Sequence, residues 1–241
     1  MSDCIRSTPL VLLPGLMCDE VLWRHQVEYF SPQRDVLVMD LVDANSMAEL
    51  AQQVLQKAPP SFALAGLSMG AILAFEVVRQ APERVAALAL LDCTYLPDTP
   101  EKVERRNRQI SDVRKGHLPQ VLKDELKPNY LAKALRQDQD LLDEIMSMGL
   151  DLGDDVFVSQ SLALRDRIDS TDLLPNITCP SLVLCGDEDE LCPIELHQTM
   201  AQQIPNASLK VIASCGHLAS LERPDAVNAA MDDWLHTKTL Q

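Results

Sequence analysis

The 241-residue sequence predicts an α/β fold: a mostly parallel sheet of about six strands with flanking helices and an inserted helical cap. Three observations carry this expectation. Short apolar runs at 10–13, 36–39, 62–67, 85–91, 181–185 and 209–213 alternate with segments of helical periodicity. The strongest of these runs are continuously apolar, as strands covered on both faces must be. Between 93 and 178 such runs vanish, and charged amphipathic segments take over. The chain therefore divides into a core of residues 1–92 and 179–241 and a cap of residues 93–178.

Leu10-Val11-Leu12-Leu13 is the first strand, stopped by Pro14-Gly15. Glu20 to Phe30 fits a helix, with Trp23, Val27 and Phe30 on one face. Val36 to Met39 is the second strand and Ser46 to Lys57 the second helix, broken by Pro59-Pro60. Phe62 to Leu67 runs directly into Met69 to Gln80, a helix apolar nearly all round and hence buried. Val85 to Leu91 is the fourth strand. Cap helices are expected at 99–115, 118–135, 138–150 and 154–168. Ser181 to Cys185 and Leu209 to Ala213 restore the sheet, and Asp225 to His236 closes with a helix.

Composition narrows the function classes. The apolar runs are too short to span a bilayer. The first residues lack the basic start and long apolar stretch of a signal peptide. The expectation is a soluble, cytoplasmic protein. Seven cysteines, without a Cys-x-x-Cys pair, read as reduced thiols. A net charge of −15 argues against binding nucleic acid or an anionic membrane. One island, Glu101 to Lys115, holds Lys102, Arg105, Arg106, Arg108, Arg114 and Lys115, and reads as the polar face of a surface helix.

Gly66-Leu67-Ser68-Met69-Gly70 matches G-x-S-x-G and sits between a buried strand and a buried helix. So tight a turn strains the central residue and requires small neighbours. It exposes Ser68 at the sheet edge, beside a helix N-terminus that favours negative charge. A serine hydroxyl needs a base to become nucleophilic. His25, His117, His197 and His236 fall within predicted helices or at their ends. His217 instead follows the sixth strand in Ser214-Cys215-Gly216-His217, at the C-terminal sheet edge that also carries Ser68. His217 is the predicted base. Its second nitrogen needs an acceptor, from a loop at this edge between Ser68 and His217 in chain order. The stretch CGDEDELCP, Cys185 to Pro193, leaves the fifth strand there with four acids, any one of which meets that requirement.

Taken with Leu13-Pro14-Gly15-Leu16, the G-x-x-D-x-x-x-P pattern from Gly186 to Pro193, and Cys215-Gly216-His217-Leu218-Ala219-Ser220-Leu221-Glu222-Arg223-Pro224, these motifs span nearly the full chain. The sequence resembles the α/β-hydrolase superfamily, in particular its small single-domain serine hydrolases with a helical cap. The resemblance implies Asp189 as the acid, with Asp187 the second candidate and Glu188 and Glu190 solvated rim charge. A tetrahedral intermediate requires two N–H donors. One is that of Met69, after the nucleophile; the other, by resemblance, is that of Leu16. Pro14 stands where many relatives carry histidine, which leaves a backbone donor available. Few residues precede the first strand, so the family's leading hairpin is expected to be absent.

The resemblance implies a serine hydrolase that cleaves carboxylic esters, lactones or thioesters through an acyl-enzyme on Ser68. It implies a small-molecule ester-type substrate and no metal or organic cofactor. In motif style the chain is similar to pimeloyl-carrier methyl esterases, enol-lactone hydrolases and the menaquinone-pathway lyase. The last uses a similar triad as a proton-abstracting base, so a C–C or C–O lyase is the rival reaction. A ligand-binding receptor of the same fold is the rival without catalysis. The acidic chain disfavours an acidic carrier protein, which only the Lys102–Lys115 island would recruit. Serine at position 68 disfavours the dehalogenases, whose nucleophile is aspartate. Cys18, Cys93, Cys192 and Cys215 fall on loops near the catalytic edge, match no zinc spacing, and are expected to be buried packing residues. Met146 and Met148 either line an adaptable pocket or pack the cap's own helices.

Overall fold

A computed structural model describes residues 8–126 and 130–236. Strands β1 (Leu10–Leu13), β2 (Val36–Val38), β3 (Phe62–Leu67), β4 (Val85–Leu91), β5 (Ser181–Gly186) and β6 (Ala207–Ile212) form one sheet in the order β2-β1-β3-β4-β5-β6. Every neighbouring pair is parallel. The continuously apolar β1, β3 and β5 are buried throughout, whereas the edge strand β6 is largely exposed.

The two-residue period of a strand sends neighbouring side chains to opposite faces, and both faces are covered. Val11, Leu13, Leu64, Leu88, Leu90 and Val183 join one cluster with α2 (Met47–Lys57), α3 (Met69–Gln80) and Met200 of α7 (Ile194–Gln203). Leu10, Leu12, Ala63, Ala65, Ala87, Ala89, Leu182 and Leu184 join the other with α1 (Arg24–Phe30), α8 (Ala219–Glu222) and α9 (Pro224–Leu235). The alanines of β3 and β4 share this second cluster with Trp23, Phe30 and Trp234, so small and large side chains interdigitate.

Between β4 and β5 the described regular elements are all helical: α4 (Pro100–Val113), α5 (Leu118–Gln120), a π-helical turn Val121–Leu126, a 3-10 turn Lys133–Leu135, α6 (Gln139–Arg165) and a 3-10 turn Thr171–Asn176. Ile110, Val113, Leu118, Val121, Leu122 and Phe157 give the cap its own core, which includes Met17 from the loop after β1.

Several elements depart from the sequence expectation. The helix expected over Glu20 to Phe30 is split: Asp19 accepts the Val21 N–H and closes a 3-10 turn, Glu20–Trp23, ahead of α1. The segment 118–135 is not one helix: α5 passes into the π-helical turn Val121–Leu126, residues 130–132 are not helical, and the 3-10 turn Lys133–Leu135 follows. Residues 127–129 of that expectation lie outside the described residues. α6 joins the two expected helices across Gly153, whose φ of 80° and ψ of −179° are not helical, and ends at Arg165. The short α8 carries too few residues for a readable period. Met148 is buried in the second cluster, and Met146, half-buried, packs against the cap core. The stretch ahead of Thr8, with the expectation about a leading hairpin, also lies outside the described residues. Among the described residues no helix is long and apolar enough to cross a membrane.

Candidate active site

Ser68 is the single residue between β3 and α3, with φ 54° and ψ −114°. Side chains rarely tolerate this region, at a cost on the order of 1–3 kcal/mol. Close packing enforces it. A Cβ on Gly66 would lie 2.3 Å from the Gly70 carbonyl carbon, and one on Gly70 only 2.1 Å from the Leu13 carbonyl oxygen. The Ser68 N–H donates to Leu91 O at 2.9 Å, and its carbonyl accepts from Ala71 and Ile72. The hydroxyl does not cap α3. It lies 2.8 Å from His217 Nε2 instead.

His217 is held from its backbone, whose N–H donates to Tyr130 O at 2.7 Å. The Tyr130 ring centroid lies 5.7 Å from that of the imidazole. On the far side of the ring, Nδ1 meets Asp189 Oδ2 at 2.8 Å. The other Asp189 oxygen accepts the N–H groups of Leu191 at 2.9 Å and Cys192 at 3.0 Å. Burial pushes the Asp189 carboxyl up, but the His217 charge and hydrogen bond and these two N–H groups outweigh it. The pKa ends below the ordinary value.

The three neighbouring acids are also occupied. Asp187 Oδ1 accepts the Cys215 N–H at 3.2 Å. Glu188 Oε2 accepts the Lys133 N–H at 2.8 Å, and Glu190 pairs with Arg136 at 2.7 Å. Glu190 is exposed and Glu188 half-buried, as expected of rim charge, and both also tie the loop to the cap over a sequence distance that no local pattern records.

The Pro14–Leu16 turn lies against Ser68, so that a Cβ on Gly15 would sit 3.6 Å from Ser68 Cβ. Neither the Leu16 nor the Met69 N–H has a protein acceptor among the described residues. The next residue, Met17, adopts φ 53° and donates its N–H to Gln160 Oε1 at 2.9 Å. Gln160 lies on α6, is buried, and donates through Nε2 to Leu41 O at 2.9 Å. One cap side chain thus fixes the loops after β1 and β2.

Two further buried side chains escaped the sequence reading. Asp92, at the end of β4 with φ 47°, accepts the N–H of Gly186 at 3.0 Å and of Ala219 at 3.4 Å. Burial, then the Asp189 charge, push its carboxyl well above the ordinary range. His197 Nε2 accepts the Cys93 N–H at 2.9 Å, and burial pulls its pKa down to about 4. A polar residue directly ending a buried strand was the available signal for Asp92; the helical pattern around His197 and Gln160 carried none.

Cys18, Cys93, Cys192 and Cys215 are buried and form no disulfide. Donor atoms of Cys192, Asp189 and His217 lie within 4.8 Å of one another. Burial and the Asp189 charge push the Cys192 thiol well up, which favours its protonated form over a metal-binding thiolate. In the basic island, Arg106 turns under the cap to Asp98 at 2.5 Å, and Arg167 meets the same buried carboxylate at 2.8 Å. Arg105, Arg108, Arg114 and Lys115 are exposed.

The model of a family described as the alpha/beta hydrolase family matches residues 10–230. The chain is 27% identical to (E)-2-((N-methylformamido)methylene)succinate hydrolase of Acinetobacter baylyi, over 95% of this chain and 90% of the relative. It is 24% identical to a pimeloyl-[acyl-carrier protein] methyl ester esterase of Legionella pneumophila, over 95% and 96%. Among solved structures, a thermophilic esterase from Thermogutta terrifontis superposes with a TM-score of 0.86 at 30% identity, covering 96% of this chain and 91% of that one. The enol-lactonase from Burkholderia xenovorans shares the fold, with a TM-score of 0.86 at 22% identity over 96% and 92% of the two chains.

Proposed function

The chain is an enzyme of the alpha/beta hydrolase family, and from that premise we propose that it cleaves carboxylic esters through an acyl-enzyme on Ser68. The observation that carries this reading is the unbroken chain from Ser68 Oγ through His217 to Asp189, with both hydrogen bonds at 2.8 Å. As Oγ attacks the acyl carbonyl carbon, Nε2 takes its proton. Asp189 keeps the remaining N–H on Nδ1 and stabilises the imidazolium that forms. The carbonyl electron pair moves onto oxygen, where the N–H groups of Leu16 and Met69 receive it. Collapse of the tetrahedral intermediate breaks the C–O bond, and the imidazolium proton leaves with the alcohol. Water then gives its proton to Nε2 and attacks the acyl carbon; as the C–Oγ bond breaks, Nε2 returns that proton to Ser68 Oγ and the acid leaves. No step draws on a group beyond these side chains, the backbone and water.

The esterase names among the relatives support an ester over the lyase reaction that the same triad can serve. A panel of p-nitrophenyl esters of graded acyl length, with a fluorophosphonate label, tests the reading. Wild type is expected to turn over at least the short esters and to be labelled; Ser68→Ala is expected to do neither. Absence of both in the wild type sinks the proposal, and turnover surviving in Ser68→Ala moves the site elsewhere.

A further inference from the structure

One buried carboxylate outside the triad gathers three backbone donors around the base. Glu222 Oε2 accepts the N–H of Gly216 at 3.0 Å, and Oε1 that of Leu218 at 3.1 Å, the two residues that flank His217. The same Oε2 accepts the N–H of Ala132 at 2.8 Å, from the cap. The return contact is the His217 N–H on Tyr130 O at 2.7 Å. The cap strip and the base turn meet without room for a side chain: a Cβ on Gly216 would lie 2.5 Å from Ala132 N and 2.6 Å from Tyr130 O. Glu222 is itself 6% exposed, so these bonds form away from competing water.

We infer that Glu222 is a positioning residue that locks the His217 turn and the cap strip Tyr130–Ala132 into one unit, so that alignment of the base depends on a seated cap. The physical reason is the shared acceptor. A carboxylate offers enough lone pairs for three N–H groups at once. Lifting the cap strip away removes the Ala132 N–H from Glu222 and the Tyr130 carbonyl from the His217 N–H, so the turn carrying His217 loses its anchor to the cap and can shift. A displacement of about 1 Å at a catalytic group is enough to lower a rate by about a hundredfold. The inference rests on the hydrolase reading for its kinetic consequence, but its structural half can be read without substrate.

The deciding variant is Glu222→Gln, which keeps the shape but replaces one acceptor oxygen with an NH2 group facing N–H donors. Glu222→Ala accompanies it, with circular dichroism and thermal melts confirming which variants fold. In folded Glu222→Gln, kcat on the best p-nitrophenyl ester should fall about tenfold to a hundredfold with KM little changed. The downfield proton resonance of the His217–Asp189 hydrogen bond should broaden, and amide exchange at Ala132, Gly216 and Leu218 should accelerate together. Wild-type kcat with a sharp resonance in that variant overturns the inference. So does a loss of kcat with the resonance unchanged, because activity then fails by another route. If the wild type turns over no ester, the hydrolase reading falls, while the resonance and exchange measurements still decide the role of Glu222.

Discussion

Asp189 Oδ2 lies 2.8 Å from His217 Nδ1, whereas Asp187, two residues earlier, turns its Oδ1 to the Cys215 N–H at 3.2 Å. The two carboxylates share a loop and differ in what they hold: one orients a side chain, the other stitches two backbones. Asparagine at 187 keeps a carbonyl oxygen for Cys215, so Asp187→Asn should retain nearly wild-type kcat. Asparagine at 189 presents a neutral amide to the imidazole and favours the wrong tautomer. Asp189→Asn should therefore lose on the order of 10⁴ in kcat. Steady-state kinetics on one ester separates the two. A large loss in Asp187→Asn alone would reassign the acid.

Gln160 invites a different substitution. Leucine fills the same space but leaves the Met17 N–H and the Leu41 carbonyl buried without their partner. Two unmet groups of this kind cost about 1–3 kcal/mol each, less whatever water recovers. Because Met17 adjoins Leu16, the loop should also drift from Ser68, lowering kcat more than it raises KM. Urea unfolding at constant m, together with kinetics, checks both halves. A stable Gln160→Leu with wild-type kcat would show that the Pro14–Leu16 turn holds its shape without the cap.

What the sequence made legible follows from how local each signal is. β1, β3 and β5 announced themselves because strands buried on both faces admit little but apolar residues. Gly66 and Gly70 flagged the turn at Ser68 because any Cβ there collides with backbone. His217 could be picked from five histidines by its place after β6 alone. Asp189 was not separable from its neighbours by spacing, since all four acids leave β5 together, and only family likeness singled it out. The partners of Glu188, Glu190 and Gln160 were not legible, because Lys133, Arg136 and Met17 lie far away in sequence. The 118–135 segment misled because its helical period continues through residues 130–132, which are not helical.

His197 makes stability depend on pH in a defined direction. Burial pulls its pKa from 6.5 to about 4, so the folded protein keeps it neutral while the unfolded chain takes up the proton. The contribution is whole above pH 6.5 and is lost as pH falls toward about 4. A depression of this size corresponds to about 3 kcal/mol across the window. Glutamine retains an acceptor for the Cys93 N–H without titrating. Urea midpoints between pH 7 and pH 4.5 should fall less steeply for His197→Gln than for wild type. Equal slopes would remove His197 from the acid response.

Asp92 acts with the opposite sign. Its folded pKa is raised by burial and by the Asp189 charge, so its stability contribution is greatest below the ordinary carboxylate value and is lost as pH rises toward the folded pKa. Asp92→Asn stays neutral throughout and can still accept the Gly186 N–H. Its stability relative to wild type should therefore grow from pH 4 to pH 7, as read from urea midpoints. A constant difference would mean that Asp92 is ionised in both states.

Ser68 is held in an unusual conformation by its own backbone. At φ 54° and ψ −114°, Ser68 carries strain that glycine alone escapes. Ser68→Ala and Ser68→Gly both remove the hydroxyl and its bond to His217, so their difference isolates the Cβ. At an ordinary position glycine is the less stable by about 0.5–1 kcal/mol. Here the order should invert, with Ser68→Gly melting above Ser68→Ala, because released strain on the order of 1–3 kcal/mol exceeds the entropy lost. Differential scanning calorimetry of the two variants measures it directly. If alanine proves the more stable, the turn is relaxed, and the reach of Ser68 Oγ to His217 comes without stored strain.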